Sequence, residues 1–226
     1  MLRAERAMKL ITASRMGEKH TENQDRVLAR RLNETSGLIA VADGMGGTPY
    51  GGSVARWLIE NHLEVDELPL EPGRTASVFR AYLETLSSQF RAEFFDLPEM
   101  LSSGATLSVV AFVERQAECF WVGDSPIFAT TGKTLQTRLI SKLDRGSRAH
   151  VLTDWFGGRS PFDLKHASVS NADILTICSD GVVSDPGELN RMWSRGFTQA
   201  SADELVDRCV AVPGSDDASI AAVAFE

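Results

Sequence analysis

The feature that most constrains the fold is a series of short apolar runs of strand length, separated by turn-rich segments. We predict strands at residues 9–15, 25–31, 37–43, 105–113, 117–124, 125–131, 172–180 and 216–225. Apolar residues at helical spacing predict helices at 51–65, 75–95 and 202–212, the last capped by Ser201. Because the helices stand in blocks and do not alternate with single strands, the pattern indicates α+β layers, not parallel βαβ units.

The middle of the chain gives two further expectations. The runs between residues 105 and 131 follow one another at hairpin-like intervals, which predicts a meander of antiparallel strands. Residues 141–170 are polar and rich in glycine, so we expect loops there with one short element at 150–156.

Composition and charge narrow the class of protein. The 226 residues suit a single domain, 1–226, in which residues 1–8 form an N-terminal tail. A net charge of −8 argues against binding to nucleic acid, since that needs a basic face. The scattered cysteines predict free thiols, and no run suits a membrane span or a signal peptide. We therefore expect a cytoplasmic monomer with neither nucleic acid nor membrane as a partner.

Acidic residues stand at the boundaries of the predicted strands. We predict that an apolar strand runs into an acidic residue, followed by glycine or another small residue, at Asp43, Asp124, Asp180 and Asp216, whereas Asp25 opens a strand. Any one of them is explained by a tight turn, where Asp and Gly supply the backbone angles. Together they would repel one another wherever strand ends converge, and divalent cations would remove that repulsion. The joint pattern therefore predicts a metal site.

The chemistry of the donors narrows the metal and the reaction. Carboxylate oxygens suit Mn²⁺ or Mg²⁺, whereas the four histidines lack the mutual spacing of zinc ligands. Two such ions can share a water, lower its pKa and direct it at a phosphorus atom, which indicates a phosphate-ester hydrolase. In the glycine-rich loop 43–47 the Gly44 carbonyl can also be a ligand, although the loop lacks the Lys-Ser/Thr of a nucleotide-binding loop.

These residues belong to ordered motifs that resemble a known family. The motifs lie at residues 17–26, 41–47, 103–106, 122–125, 178–181 and 216–219. Over residues 9–225 the chain resembles the PP2C-type (PPM) metal-dependent protein serine/threonine phosphatases, in particular the compact bacterial members. The resemblance implies a four-layer αββα sandwich, in which two antiparallel β-sheets flanked by helices carry a two-metal centre at one end.

The resemblance also implies roles for individual residues. Asp43 bridges the two ions, and the Gly44 carbonyl serves the second. Asp180 and Asp216 hold the first ion, and Asp25 acts through a water. The carboxylates of these four aspartates carry the catalysis. Asp124, together with Asp180, matches the position that can hold a third and weaker ion.

The chain departs from the family pattern on the substrate side. His20 stands where the family usually places an arginine that grips the substrate phosphate, and a neutral imidazole is a weaker anion partner than a guanidinium. Lys19 is expected to compensate. Asp217 replaces the common asparagine and adds charge beside the metals, with a role that stays open. Pro126 replaces a frequent arginine, and the stretch between residues 124 and 180 predicts a trimmed flap over the site.

The leading hypothesis is hydrolysis of phosphoserine or phosphothreonine on a protein by a metal-activated water. The family resemblance further implies a substrate from signalling, phosphorylated by a bacterial kinase that the enzyme opposes. The alternative is a pseudophosphatase-like regulatory module that binds a phosphoprotein without turnover, motivated by His20 and the short flap. A third hypothesis is a hydrolase of small phosphate esters.

Overall fold

The computed structural model describes residues 8–63, 75–132, 135–144, 152–158, 162–182 and 185–225. The strands in this part of the chain are β1 (Met8–Arg15), β2 (Asp25–Arg31), β3 (Ser36–Asp43), β4 (Gly104–Ala105), β5 (Leu107–Val113), β6 (Gln116–Val122), β7 (Ile127–Thr131), β8 (Gln136–Leu139), β9 (Phe156–Gly157), β10 (Lys165–Ser170), β11 (Ile174–Cys178) and β12 (Ala218–Phe225). The helices are α1 (Gly51–Arg56), which continues as a π-helical segment (Trp57–His62), α2 (Thr75–Glu93), α3 (Pro98–Leu101), α4 (Pro186–Ser194) and α5 (Gln199–Val210).

The strands form two five-stranded antiparallel sheets. The first sheet has the order β1-β12-β11-β7-β8, and the second has the order β10-β6-β5-β3-β2. A two-stranded ribbon joins β4 to β9. The predicted α+β class with two antiparallel sheets is therefore confirmed.

The sheets pack face to face because successive side chains of a strand point to opposite sides of its sheet, and one of these apolar sides faces the other sheet. On β3, Ile39 and Val41 point into the core between the sheets, where they join Leu175 and Val223 of the first sheet. The intervening residues of β3 point outward to the helices, so the strand is buried on both faces and reads as one continuous apolar run.

Helices cover the outer face of each sheet, which completes the predicted four layers. The helices α1 to α3 and the π-helical segment cover the second sheet. On α2 the predicted apolar stripe is buried through Phe79, Leu83, Leu86 and Phe90. The helices α4 and α5 cover the first sheet through a separate cluster around Trp193 and Leu205.

The helices differ from the sequence prediction in three places. The helix predicted at 51–65 changes to π-helical geometry at Trp57. The cap of α5 is Thr198 and not Ser201, because the Thr198 hydroxyl accepts the backbone N–H of Ser201. The helix α4 was not predicted, although Asp185 caps it and Pro186 opens it, which are ordinary start signals.

The predicted meander is wrong for its third strand. The strands β5 and β6 form the expected hairpin, but β7 leaves them and pairs with β11 and β8 in the first sheet. The chain changes sheets between Gly123, whose φ of 94° lies in the left-handed region, and Pro126, which has no N–H for a strand ladder. The sequence did not indicate this change of sheet, because the apolar runs on either side of it are adjacent.

The loops predicted at 141–170 are also wrong in part. The strand β10 pairs with β6 at the edge of the second sheet, with Lys165 opposite Trp121. Four of its six residues are polar, so it gives no apolar signal. In the element predicted at 150–156, residues 150 and 151 lie outside the described part, and Phe156 begins β9. Residues 1–7 of the predicted tail also lie outside it, and Met8 already belongs to β1.

Two further observations concern the thiols and the helices. None of the three cysteines Cys119, Cys178 and Cys209, all within the described residues, forms a disulfide, as predicted. Across the described residues, every helix is too short or too polar to cross a membrane.

Candidate metal centre

Strand ends bring the predicted acidic residues to one end of the sandwich. The strand β3 ends at Asp43, and Asp124 and Asp180 each lie two residues after the last residue of β6 and β11, respectively. Asp216 does not follow a strand as predicted, because α5 and a turn precede it and β12 begins only at Ala218. The antiparallel pairing of Cys178 with Ile220 nevertheless places the start of β12 beside the end of β11.

Asp25 and Asp43 face each other across β2 and β3, where their Cα atoms are direct partners. The turn before Asp25 is held by Arg26, whose guanidinium donates to the carbonyls of Asn23 and Asp25 at 2.7 Å each. Arg26 also pairs with Glu60 of the π-helical segment at 2.8 Å. The sequence analysis named Arg26 only as part of a motif, so its role in anchoring this turn was missed.

The carboxylate of Asp25 is buried without a hydrogen-bond partner of standard geometry among the described residues. Burial raises the pKa of Asp25 to about 7, and the charges of Asp217 and Asp180 add to the rise. The nearby hydroxyls of Ser179 and Ser219 lower this pKa and only partly offset the burial. An unpartnered buried acceptor is costly, so the arrangement fits oxygens that accept from cation-bound water.

Asp43 stands at the centre of the cluster. Burial raises its pKa well above the ordinary value, and the charges of Asp25, Asp180, Asp124 and Asp216 raise it further, in that order. The structure thus brings together all five acidic side chains that the sequence analysis selected. A concentration of carboxylates this dense suits hard divalent cations, which prefer oxygen ligands.

The loop after Asp43 is fixed by backbone contacts. The N–H of Gly44 donates to the Gln24 carbonyl at 3.3 Å, and the N–H of Met45 donates to the Gly104 carbonyl at 2.9 Å. A Cβ atom on Gly44 would lie 2.4 Å from the backbone of Gly51, the first residue of α1, so position 44 requires glycine. The Gly44 carbonyl is therefore held at a defined place beside Asp43.

The two residues predicted to bind substrate phosphate, Lys19 and His20, contact carboxylates of the site. The Lys19 ammonium lies 2.9 Å from Asp216, and this hydrogen bond raises the pKa of Lys19. The His20 Nδ1 atom lies 2.9 Å from Asp217 and 3.6 Å from Asp216. One potential ligand atom from each of His20, Asp216 and Asp217 falls within a 4.8 Å cluster.

Asp217, whose role the sequence left open, holds a loop together. Its carboxylate accepts the backbone N–H of Gly17 at 2.8 Å and that of Gln24 at 2.7 Å, besides its contact with His20. The side chain is 3% exposed. Because both of its oxygens accept backbone N–H groups, Asp217 anchors the 17–24 loop, whereas the carboxylate of Asp216 accepts from Lys19 and from the N–H of Asp217.

Comparison with known proteins decides the family. Residues 16–217 match the Protein phosphatase 2C family. The chain belongs to this family. It is therefore a PP2C-type phosphatase of a metal-dependent kind, as the ordered motifs predicted, and phosphoproteins are the substrates that this family implies.

Relatives and solved structures of this phosphatase family agree along almost the whole chain. A Streptococcus pyogenes protein assigned to the protein phosphatase 2C type is 26% identical, and the alignment spans 96% of this chain and 97% of the relative. The serine/threonine phosphatase Stp1 from Staphylococcus aureus superposes with a TM-score of 0.85 at 17% identity, with 97% of this chain and 95% of that chain covered. PppA, a regulatory component of the type VI secretion system (T6SS) in Pseudomonas aeruginosa, gives 0.81 at 24% identity, with 97% and 98% covered. The two structural neighbours confirm the fold.

Proposed function

We propose that this protein phosphatase 2C hydrolyses phosphoserine and phosphothreonine esters on proteins, with two Mn²⁺ or Mg²⁺ ions bound among its strand-end aspartates. The observation that carries the proposal is the buried carboxylate of Asp25, which has no hydrogen-bond partner of standard geometry among the described residues and lies beside Asp43; burial and four neighbouring carboxylates raise the pKa of Asp43. This arrangement is unfavourable for the protein alone. It becomes favourable when cations bind.

Each residue of the centre has a part in the proposal. Asp43 would serve both ions, the Gly44 carbonyl would bind one of them, and Asp180 and Asp216 would bind the other. Asp25 would hold a water in place from its buried position. When bound, the ions supply an activated water and neutralise phosphate charge.

The substrate side depends on Lys19 and His20. In the structure Lys19 contacts Asp216, but its side chain is 53% exposed and its ion pair is a weak surface interaction. A cation bound to Asp216 would compete for the same carboxylate, and Lys19 would then be free to turn towards a phosphate. His20 stays in contact with Asp217, beside Asp216 and Lys19.

We further infer that the substrate is a signalling protein phosphorylated by a bacterial kinase, and that Asp124 with Asp180 holds a third, weaker ion. Support for the kinase comes from family resemblance. Support for the third ion comes from the charge of Asp124, which contributes to the raised pKa of Asp43.

The test is hydrolysis of a phosphothreonine peptide by the purified chain with and without Mn²⁺. We expect turnover that needs Mn²⁺ and falls by at least about 100-fold in Asp43→Asn and Asp180→Asn, since metal ligands supply several kcal/mol of transition-state stabilisation. Asp185→Asn, at the cap of α4, is the control for a surface carboxylate. Peptide binding without metal-dependent turnover would instead support the regulatory module, and a strong preference for nucleotides or sugar phosphates would support the small-ester hydrolase.

A further inference from the structure

The turn that carries Asp124 rests against a second buried carboxylate, Asp144. The N–H of Gly123 donates to the Asp144 Oδ2 atom at 3.0 Å, and the Gly123 carbonyl accepts the N–H of Asp144 at 3.0 Å. Asp144 is 8% exposed. These two bonds fix both sides of the Gly123 backbone, so the turn cannot rotate without breaking them.

Asp144 has its own counter-ion and needs none from the metal centre. The Lys165 ammonium of β10 lies 2.7 Å from the Asp144 Oδ1 atom, and the two side chains are 20% and 10% exposed. Burial opposes the charge on Lys165, but the hydrogen bond and charge of Asp144, together with the charges of Asp163 and Asp154, outweigh it, so the pKa of Lys165 is raised. One carboxylate oxygen of Asp144 thus contacts Lys165, and the other accepts the N–H of Gly123.

The opposite side of the turn is held by hydroxyl groups. The Ser125 hydroxyl exchanges a hydrogen bond with Thr106 at 2.7 Å, and the Ser125 carbonyl accepts from Ser108 at 2.7 Å. The Thr106 hydroxyl also accepts the N–H of Asp43 at 3.0 Å. The residues before and after Asp124 are thus fixed, and the turn is linked to the backbone of Asp43.

We propose that Asp144, supported by Lys165, is a positioning residue that holds Asp124 at the metal centre for cation binding. The reason is electrostatic, because the carboxylate of Asp124 acts on that of Asp43, and like charges push each other apart when no cation is bound. A turn anchored from behind keeps Asp124 in place before the ion arrives, which lowers the cost of binding. This inference rests on the proposed function, since it assigns Asp124 to a cation.

The chain offers a matched control at the other end of β11. Asp173 accepts the N–H of Gly132 at 2.7 Å and pairs with Arg115 at 2.6 Å, so it makes the same two kinds of contact as Asp144. Gly132 has a positive φ of 76°, as Gly123 has one of 94°. Asp173 precedes the first residue of β11, whereas Asp180 follows the last, so Asp173 lies away from the centre.

The experiment compares Asp144→Ala, Asp144→Asn and Asp173→Ala in the full chain by Mn²⁺-binding calorimetry and by phosphopeptide hydrolysis across Mn²⁺ concentrations. We expect Asp144→Ala to bind its weakest Mn²⁺ about 10-fold less tightly. Its half-saturating Mn²⁺ should rise in step, while KM for the peptide at saturating Mn²⁺ stays unchanged. Asp144→Asn retains an acceptor for Gly123 and should recover part of the affinity. Asp173→Ala should bind Mn²⁺ like the parent.

A Mn²⁺ isotherm of Asp144→Ala equal to that of the parent, or an equal loss in Asp173→Ala, would overturn the proposal. If Asp144→Ala does not fold, the comparison passes to Asp144→Asn and to Lys165→Met, which removes the counter-ion of Asp144 but keeps its carboxylate and is expected to weaken the same Mn²⁺ step. Unchanged Mn²⁺ binding in both of these variants would refute the positioning role. A parent that binds Mn²⁺ but hydrolyses no phosphopeptide would refute the proposed function and leave the binding comparison valid.

Discussion

Replacing Asp25 by asparagine should stabilise the metal-free protein at neutral and alkaline pH. In the folded chain the pKa of Asp25 rises from 3.8 to about 7, chiefly because the carboxyl is buried. The folded state therefore binds a proton between these values where the unfolded state does not, and the stability falls as the pH rises from about 4 to about 7. Above that range the cost is fully present, and below it the cost vanishes.

The size of the effect follows from the shift in pKa. A rise from 3.8 to about 7 corresponds to about 4 kcal/mol of unfolding free energy lost above pH 7. The buried amide of the asparagine has unmet donors, which return about 1–3 kcal/mol of that gain. We therefore expect Asp25→Asn to be about 1–3 kcal/mol more stable than the parent at pH 8 and no more stable at pH 4.

Urea unfolding in EDTA from pH 4 to pH 8 measures this difference, with Asp173→Asn as the control at the far end of β11. Saturating Mn²⁺ should reverse the order, because a cation at about 100 times its Kd adds about 2.7 kcal/mol to a state that binds it. The parent binds it more tightly than Asp25→Asn does. Parallel pH profiles for the parent and Asp25→Asn in EDTA would refute the electrostatic account of the centre.

Two further predictions concern the substrate side and the metal loop. Lys19→Met should raise KM for a phosphopeptide several-fold while kcat stays nearly constant, because it removes the cation proposed to bind phosphate and leaves every metal ligand in place. Steady-state kinetics at saturating Mn²⁺ measure this, and an unchanged KM would exclude Lys19 from the phosphate site. Gly44→Ala should lower both activity and thermal stability, because its Cβ atom would lie 2.4 Å from the backbone of Gly51, and the backbone shift that relieves this contact lowers the unfolding free energy by about 1–3 kcal/mol. In Gly46→Ala the added Cβ atom meets no atom within 4 Å, so thermal unfolding of this control should match that of the parent.

The sequence predicted what depends on local pattern. The strands β1 to β3 and the helix α2 follow from apolar runs and a helical stripe that need no distant partner. The acidic residues of the centre could also be selected, because each lies at or within two residues of a strand end, although Asp216 precedes its strand and does not follow one. Sheet membership was not predictable in the same way, since β7 and β10 are placed by pairing with strands far along the chain.

The roles of the supporting residues were not predictable for the same reason. Asp217 binds the N–H of Gly17 from 200 positions away, and Asp144 binds that of Gly123 from 21 positions away. Neither contact has a local motif, and an isolated buried aspartate looks like any turn residue in a sequence. Their roles became visible only when the fold showed which backbone N–H groups their oxygens accept.

These supports share a physical logic that explains how the centre can be both crowded and ordered. Arg26 binds carbonyls of the turn that carries Asp25, whereas Asp144 and Asp217 bind the N–H groups of the turns beside Asp124 and the 17–24 loop. In each case the charged side chain acts on the backbone and carries its own counter-ion or hydrogen-bond partner. The oxygens of Asp25 and Asp43 are therefore not consumed by structural contacts. The hydrogen bonds to the backbone thus hold these carboxylates close together against their mutual repulsion, and their lone pairs remain available for cations.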